Sequence, residues 1–185
     1  YLNSLIVTDT RNSLWSDLPF DYANGGKAVG PNIRASMLRL LAMAKAYHFP
    51  GELQGNSILL SSIISSLDYL VKEHYKVGAL EYGNWWDWEI GSPLQVNNLL
   101  VLLYDQLTPE EVARYTAAVD RFVGDPRYMI TTTVSTGANR VWKCEGAALR
   151  AVLAKDGAKL QLASDALVPV FAYVTSGDGF YRDGS

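Results

Sequence analysis

Apolar residues recur three and four positions apart over long stretches of the chain, the spacing that places them on one face of a helix. The pattern predicts a helix over Asn32–His48, ended by the following Phe-Pro-Gly sequence, and a second helix over Ser57–Tyr75. These two helices should pair antiparallel. Pro93, a residue favoured in the first turn, opens a third predicted helix that runs to Tyr104.

Three more helices are predicted in the second half of the chain. The segment Thr108–Glu111 reads TPEE, in which threonine caps a helix, proline fits the first turn and the last glutamate completes a capping box. The apolar spacing then predicts a fifth helix over about Arg140–Lys155. A sixth is predicted over about Lys159–Tyr173, and Pro169 should kink or shorten it.

In the second half of the chain, two stretches in particular are predicted to lie outside helices. The β-branched run Ile130–Val134 predicts extended backbone, and the glycine-rich segment Ser176–Ser185 predicts a loop. Helix hairpins that follow one another without alternating strands indicate an all-α fold of stacked antiparallel pairs.

Composition narrows the classes of protein. The 185 residues are 49% hydrophobic, enough for a buried core, and a net charge of −3 argues against nucleic-acid binding, which needs a basic excess. Apolar runs such as Leu99–Tyr104 are far shorter than the roughly 20 residues that cross a bilayer. A single cysteine, Cys144, and two histidines, His48 and His74, predict no internal disulfide, no metal site and no cofactor.

A tryptophan-rich segment is the first candidate for function. Asn84–Gly91 reads NWWDWEIG, and no single helix or strand face can bury its three indoles completely. Exposed Trp85 and Trp86 rings would stack on sugar rings while Asn84 and Asp87 bond to hydroxyls. Alternatively the rings fill gaps between helices, which is the preferred interpretation for Trp88.

Two further segments stand out. Thr136–Arg140 reads TGANR at a predicted loop-to-helix junction, where the residue types alone favour Asn139 as a helix cap and Arg140 as a solvated side chain. Gly177–Ser185 is rich in glycine but lacks the lysine followed by serine or threonine of a phosphate-binding loop.

In order and spacing, these three segments resemble polysaccharide lyase family 8, which includes hyaluronate, chondroitin AC and xanthan lyases. The resemblance spans Asn32–Ser185. It implies that residues 1–185 form part of an incomplete (α/α) toroid, the catalytic domain, with more helices and β-sandwich domains beyond residue 185. It also implies a secreted enzyme, expected to be a monomer, that acts on an anionic polysaccharide, with hyaluronan or chondroitin favoured over xanthan.

The resemblance implies a β-elimination in which the proton on C5 of a uronate is removed and the oxygen on C4 is expelled. Asn139 matches the family asparagine that neutralises the uronate carboxylate, and a neutral amide suits this role because it donates without titrating. The further site residues implied are Trp85, Trp86, Asn84, Arg39, Arg140 and Asp178. A surface salt bridge for Arg39 and an ordinary turn for Asp178 are open alternatives.

The sequence departs from the family pattern in two respects. The family often carries a third aromatic residue shortly before the TGAN motif, where this chain has Thr131–Val134. The family's catalytic histidine and tyrosine follow the Asp-Gly-Ser segment, and this chain stops at Ser185. Neither His48 nor His74 lies where a base would be, since both are placed near helix ends. We therefore expect the 185 residues alone to be inactive.

Two functions of other classes are alternatives. A helical glycoside hydrolase would use two carboxylates as acid and base, and its product would lack a new double bond. The candidate carboxylates are Asp87, Glu89, Glu145 and Asp178. A noncatalytic carbohydrate-binding helical module would need only the tryptophans.

Overall fold

Six helices make up most of the chain. The computed structural model describes residues 1–129 and 132–184, and for Asn24 the backbone alone. The described residues form no β-strand, and their only β-type backbone pairing is in two isolated bridges, Tyr128–Val134 and Tyr173–Phe180. This confirms the all-α prediction. The helices are α1 (Val29–His48), α2 (Ser57–Tyr69), α3 (Ser92–Leu103), α4 (Pro109–Val123), α5 (Gly137–Leu153) and α6 (Gly157–Leu167).

Helices α1 and α5 begin three residues earlier than their apolar spacing predicts. Gly26, just before α1, is left-handed with φ 60°, and its carbonyl accepts from the Val29 N–H at 2.9 Å. Gly137 opens α5 with φ 51°, which a residue with a Cβ rarely adopts. The apolar pattern misses both starts because the chain turns at a glycine before the first apolar position.

Two π-helical turns extend regular helices. Leu70–His74 continues α2, so the predicted helix over Ser57–Tyr75 is helical nearly throughout but changes its hydrogen-bond pattern. Asp87–Gly91 precedes α3 and joins it to Trp85, so helical backbone starts eight residues before Pro93. Proline inside an α-helix clashes with the carbonyl four residues earlier, and the wider turn relieves this clash.

The predicted helix ends in the second half are largely confirmed. In the capping box of α4 the Thr108 side chain accepts from the Glu111 N–H, and the Glu111 carboxylate accepts from the Thr108 N–H at 2.8 Å. Helix α6 starts at Gly157, where the Asp156 side chain accepts from the Lys159 N–H. It changes to a 3-10 turn at Val168–Phe171, which contains Pro169 as predicted.

The prediction of extended backbone over Ile130–Val134 is wrong at Thr132. That residue is left-handed with φ 66°, inside a tight turn closed by a 2.8 Å hydrogen bond from the Met129 N–H to the Thr133 carbonyl. Ile130 and Thr131 lie outside the described residues, as does Ser185 of the predicted C-terminal loop. β-Branched residues favour strands only where a neighbouring strand is available to pair.

Helix α3 lies at the centre and contacts α1, α4 and α5, while α5 also packs on α6. Short connections join α1 to α2, α3 to α4 and α5 to α6, and each of these pairs is in contact, as expected of antiparallel helix hairpins. In the core the Trp88 ring packs beside Tyr75 and Phe122, with ring centroids 6.1 and 5.4 Å away, and those two rings stack on each other at 4.2 Å. Among the described residues, no helix combines the length and the apolar character needed to cross a membrane.

Candidate functional site

An open groove of about 510 Å³ lies where the N-terminus of α5 meets the glycine-rich C-terminal loop. It brings together two of the predicted segments, which are about forty residues apart in the sequence. The lining residues are Thr136, Gly137, Ala138, Asn139, Gly177, Asp178, Gly179 and Tyr181.

Asn139 lines this groove from the first turn of α5. The capping interpretation is wrong, because Thr136 is the N-cap and Asn139 is the third helical residue. Within the part of the chain that the structure describes, no hydrogen bond engages the Asn139 amide or the backbone N–H groups of residues 137–139. Free N–H groups and a positive dipole end make this turn suited to an anion.

Asp178 approaches the same turn from the C-terminal loop. The Thr136 hydroxyl donates to its carboxylate at 2.6 Å instead of capping α5. A Cβ placed on Gly137 would lie 3.6 Å from the Asp178 Cβ. The exposed Asp178 therefore bridges the two segments, a role that its own glycine-flanked turn does not explain.

The three tryptophans of the motif differ in burial, as predicted. Trp88 is 1% exposed, and its Nε1 donates to the Tyr82 carbonyl at 2.8 Å, so it is a core residue. Trp85 and Trp86 are only partly buried. The exposed Asn84 caps this helical segment, its side-chain oxygen accepting from the Trp86 N–H at 3.2 Å, and no described residue accepts a hydrogen bond from its NH₂ group.

Two residues that sequence reasoning missed contact the tryptophan motif. The Trp142 ring meets the Trp86 ring edge to face, with centroids 6.0 Å apart and planes at 87°. The Arg34 guanidinium lies 5.7 Å from the Trp86 ring and donates to Asp87 at 2.6 Å. Trp142 could have been found from the sequence, because it lies three residues after Asn139 on the same helix face.

A buried ion pair joins the two halves of the site. Lys143 Nζ of α5 donates to Glu89 of the π-helical turn at 2.5 Å, and the side chains are 0% and 1% exposed. Since Glu89 follows Trp85 and Trp86 while Lys143 follows Asn139, the pair fixes the tryptophan motif against the asparagine turn.

The two predicted arginines have other contacts. Arg140 donates four hydrogen bonds, to the Ser135 hydroxyl and to the carbonyls of Ser135, Arg127 and Ala166, which holds the preceding turn onto α5. Arg39 pairs with Asp17 through both guanidinium nitrogens, as the salt-bridge alternative expects. Substrate contact by either residue stays a prediction.

Two of the four carboxylates proposed for a hydrolase are unfavourably placed, whereas Glu145 and Asp178 are exposed. Asp87 and Glu89 are buried and paired with Arg34 and Lys143, so neither is open to act as an acid or base, and the prediction that Asp87 bonds to sugar hydroxyls is wrong. The nearby Glu81 has one carboxylate oxygen buried without a hydrogen-bond partner among the described residues. Burial and the charge of Glu89 raise the pKa of Glu81 to about 7.

Both histidines lie at helix ends, as predicted. His48 ends α1 and is exposed. His74 ends the π-helical turn Leu70–His74 and is partly buried, and its ring is hydrogen-bonded to the hydroxyls of Tyr22 and Tyr69. Burial lowers the pKa of His74 to about 4, so it is neutral at pH 7. No group of three or more potential metal ligands occurs in the described ranges 1–129 and 132–184.

The whole chain, residues 1–185, matches the sequence model of a protein family described as polysaccharide lyase family 8, N-terminal alpha-helical domain. It is 44% identical to a hyaluronate lyase of Thermasporomyces composti and 34% identical to a xanthan lyase of Bacillus sp. strain GL1. Both alignments cover 100% of this chain but only 22% and 19% of those relatives. The chain thus spans about a fifth of their length.

Solved structures agree in fold. The chondroitin AC lyase of Streptomyces coelicolor A3, in complex with chondroitin sulphate, matches with a TM-score of 0.88 and 43% identity, covering 100% of this chain and 24% of that one. A Paenibacillus xanthan lyase matches with a TM-score of 0.86 and 34% identity, covering 98% and 16%.

Proposed function

The chain belongs to polysaccharide lyase family 8, and from this we propose that it contributes the carboxylate-binding part of an enzyme that cleaves uronate-containing polysaccharides by β-elimination. In this reaction a base takes the proton on C5, and the electron pair left there forms the C4–C5 double bond as the glycosidic oxygen on C4 leaves. The difficulty is that the adjacent carboxylate is already negative, so the carbanion-like transition state needs donors placed around it.

The observation that carries the proposal is the Asn139 amide in the open groove, beside the N–H groups of residues 137–139, none of which has a hydrogen-bond partner among the described residues. Together they would donate to a uronate carboxylate and to the charge that develops on it. Asp178 on the opposite side would repel the newly released uronate and favour its departure.

Trp85 and Trp86 would position the polymer, and their partial burial holds the rings while leaving part of each accessible. We propose a glycosaminoglycan, hyaluronan or chondroitin, as the substrate. The relative named as a hyaluronate lyase and the structure with chondroitin sulphate are 44% and 43% identical to this chain, against 34% for both xanthan lyases.

The base and the leaving-group acid are not assigned to this chain, because His74 is held neutral between two tyrosines and His48 lies at the far end of α1. We propose that a histidine and a tyrosine outside residues 1–185 supply them, within further helices, followed by β-sandwich domains. We also propose secretion, since such polymers lie outside the cell.

The test is replacement of Asn139 in the full-length protein, followed by the ultraviolet absorbance of the unsaturated product. Asn139→Ala should lower kcat by roughly a hundredfold to a thousandfold, the usual cost of one such donor. Asn98→Ala, an exposed asparagine on α3, is the matched control. Near-normal kcat in Asn139→Ala would contradict the assigned role, and hydrolysis without a new double bond would contradict the elimination.

A further inference from the structure

Trp142 is a large, partly exposed aromatic side chain three residues after Asn139, which lines the groove. It is 38% exposed, although an indole of this size is normally well buried. We propose that Trp142 binds the sugar ring adjoining the uronate held at Asn139, which extends the binding surface from the tryptophan motif onto α5. This inference rests on the proposed function.

The helix geometry places Trp142 next to the asparagine. Residues three apart on a helix are surface neighbours, so the Trp142 side chain lies one turn along from Asn139 on the same side of α5. One sugar ring spans about this distance, since a helical turn rises roughly 5.4 Å. A polymer with its carboxylate at Asn139 would therefore present the next ring to Trp142.

The rotation of α5 about its axis is fixed. Lys143, the residue after Trp142, is 0% exposed and held by Glu89. On the other side of the contact, Trp86 precedes the turn that carries Glu89, and its ring meets Trp142 edge to face at 6.0 Å. The buried ion pair thus fixes the two segments that carry the indoles, and the edge-to-face contact holds the Trp142 ring against Trp86.

An apolar sugar face is the ligand that this surface suits. Indoles stack on the C–H faces of sugars, and an edge-to-face pair of rings offers two planes at nearly right angles for successive residues of a twisted polymer. Arg34, 5.7 Å from the Trp86 ring, is ion-paired with Asp87 and packs against that ring, so it helps to hold Trp86 in place.

The experiment compares Trp142→Ala, Trp142→Gln and Trp142→Phe in the full-length enzyme, with hyaluronan and chondroitin as substrates. Val152→Ala is the control, because Val152 is an exposed apolar residue on the same helix. Loss of one stacking contact should raise KM by roughly 3- to 10-fold for alanine and glutamine, with kcat within about twofold. Phenylalanine should restore most of the affinity.

A KM within twofold of wild type for both Trp142→Ala and Trp142→Gln, in enzymes that melt cooperatively, would overturn the inference. So would equal losses in the phenylalanine variant, which would indicate a packing role. A wild-type enzyme that releases unsaturated product while the Trp142 variants bind normally would refute this inference alone. A wild-type enzyme that releases none would refute the proposed function as well.

Discussion

Replacement of Lys143 by methionine should strongly destabilise the protein, because it leaves the Glu89 carboxylate buried without its cation. Two unit charges 2.5 Å apart attract by about 7 kcal/mol at an effective dielectric constant of about 20, and desolvation of both groups offsets much of this. Removal of one partner keeps the desolvation cost and loses the attraction, so we expect a loss of about 3–5 kcal/mol. That is a large share of the total stability of a typical domain.

The assay is urea unfolding followed by circular dichroism, with wild type, Lys143→Met, Glu89→Gln and the double variant in one thermodynamic cycle. Glu89→Gln in the Lys143→Met background removes the buried negative charge that has lost its lysine, so the double variant should be more stable than Lys143→Met alone. The reasoning is wrong if Lys143→Met costs less than about 1 kcal/mol, or if the double variant unfolds at a lower urea concentration than the single.

Two further predictions concern Glu81 and Gly91. The pKa of Glu81 is raised from 4.5 to about 7 in the folded chain, so the folded state keeps a proton that the unfolded state releases, and stability falls as the pH rises through that window. Glu81→Gln should remove this pH dependence. The melting temperature of the variant minus that of wild type should therefore be larger at pH 8 than at pH 5, and the same value at both pH values would contradict the prediction. A Cβ on Gly91 would overlap the Arg34 Cδ and lie 2.7 Å from the Trp86 Cζ3, so Gly91→Ala should raise KM and cost about 1–3 kcal/mol. An unchanged KM would show that the Trp86 ring is not displaced.

The helices could be predicted from the sequence because each buries one apolar face, and burial repeats with the helical period. Their starts were harder, since the left-handed glycines at Gly26 and Gly137 begin the turn before any apolar residue appears. The π-helical turn before Pro93 could not be predicted from the sequence, for a different reason. A single wider turn shifts the apolar pattern by one position, which a period of 3.6 residues does not resolve over so short a stretch.

The site was predictable as separate segments but not as an arrangement. Nothing in the residues between Asn139 and Asp178 predicts that Thr136 bonds to Asp178, because the contact depends on how the C-terminal loop returns to α5. The buried Lys143–Glu89 ion pair, however, could have been anticipated from the sequence. Lys143 precedes the buried Ala147 and Ala151 by four and eight residues, and a lysine on the buried face of a helix requires an acidic partner.

The polar residues of helix α5 fall into two groups, cations that hold the fold together and a neutral amide that is open to a ligand. This difference affects how a lyase would release its product. Lys143 and Arg140 are committed to Glu89 and to backbone carbonyls, so the cations nearest Asn139 hold the fold together. The group left for a ligand is a neutral amide, whose hydrogen bonds are worth about half of those made by a charged donor. A free arginine in its place would bind the uronate of substrate and product equally tightly, which lowers KM without raising kcat. An amide binds the carboxylate of substrate and product more weakly than a cation would, so under the proposed function neutrality at position 139 favours product release over affinity.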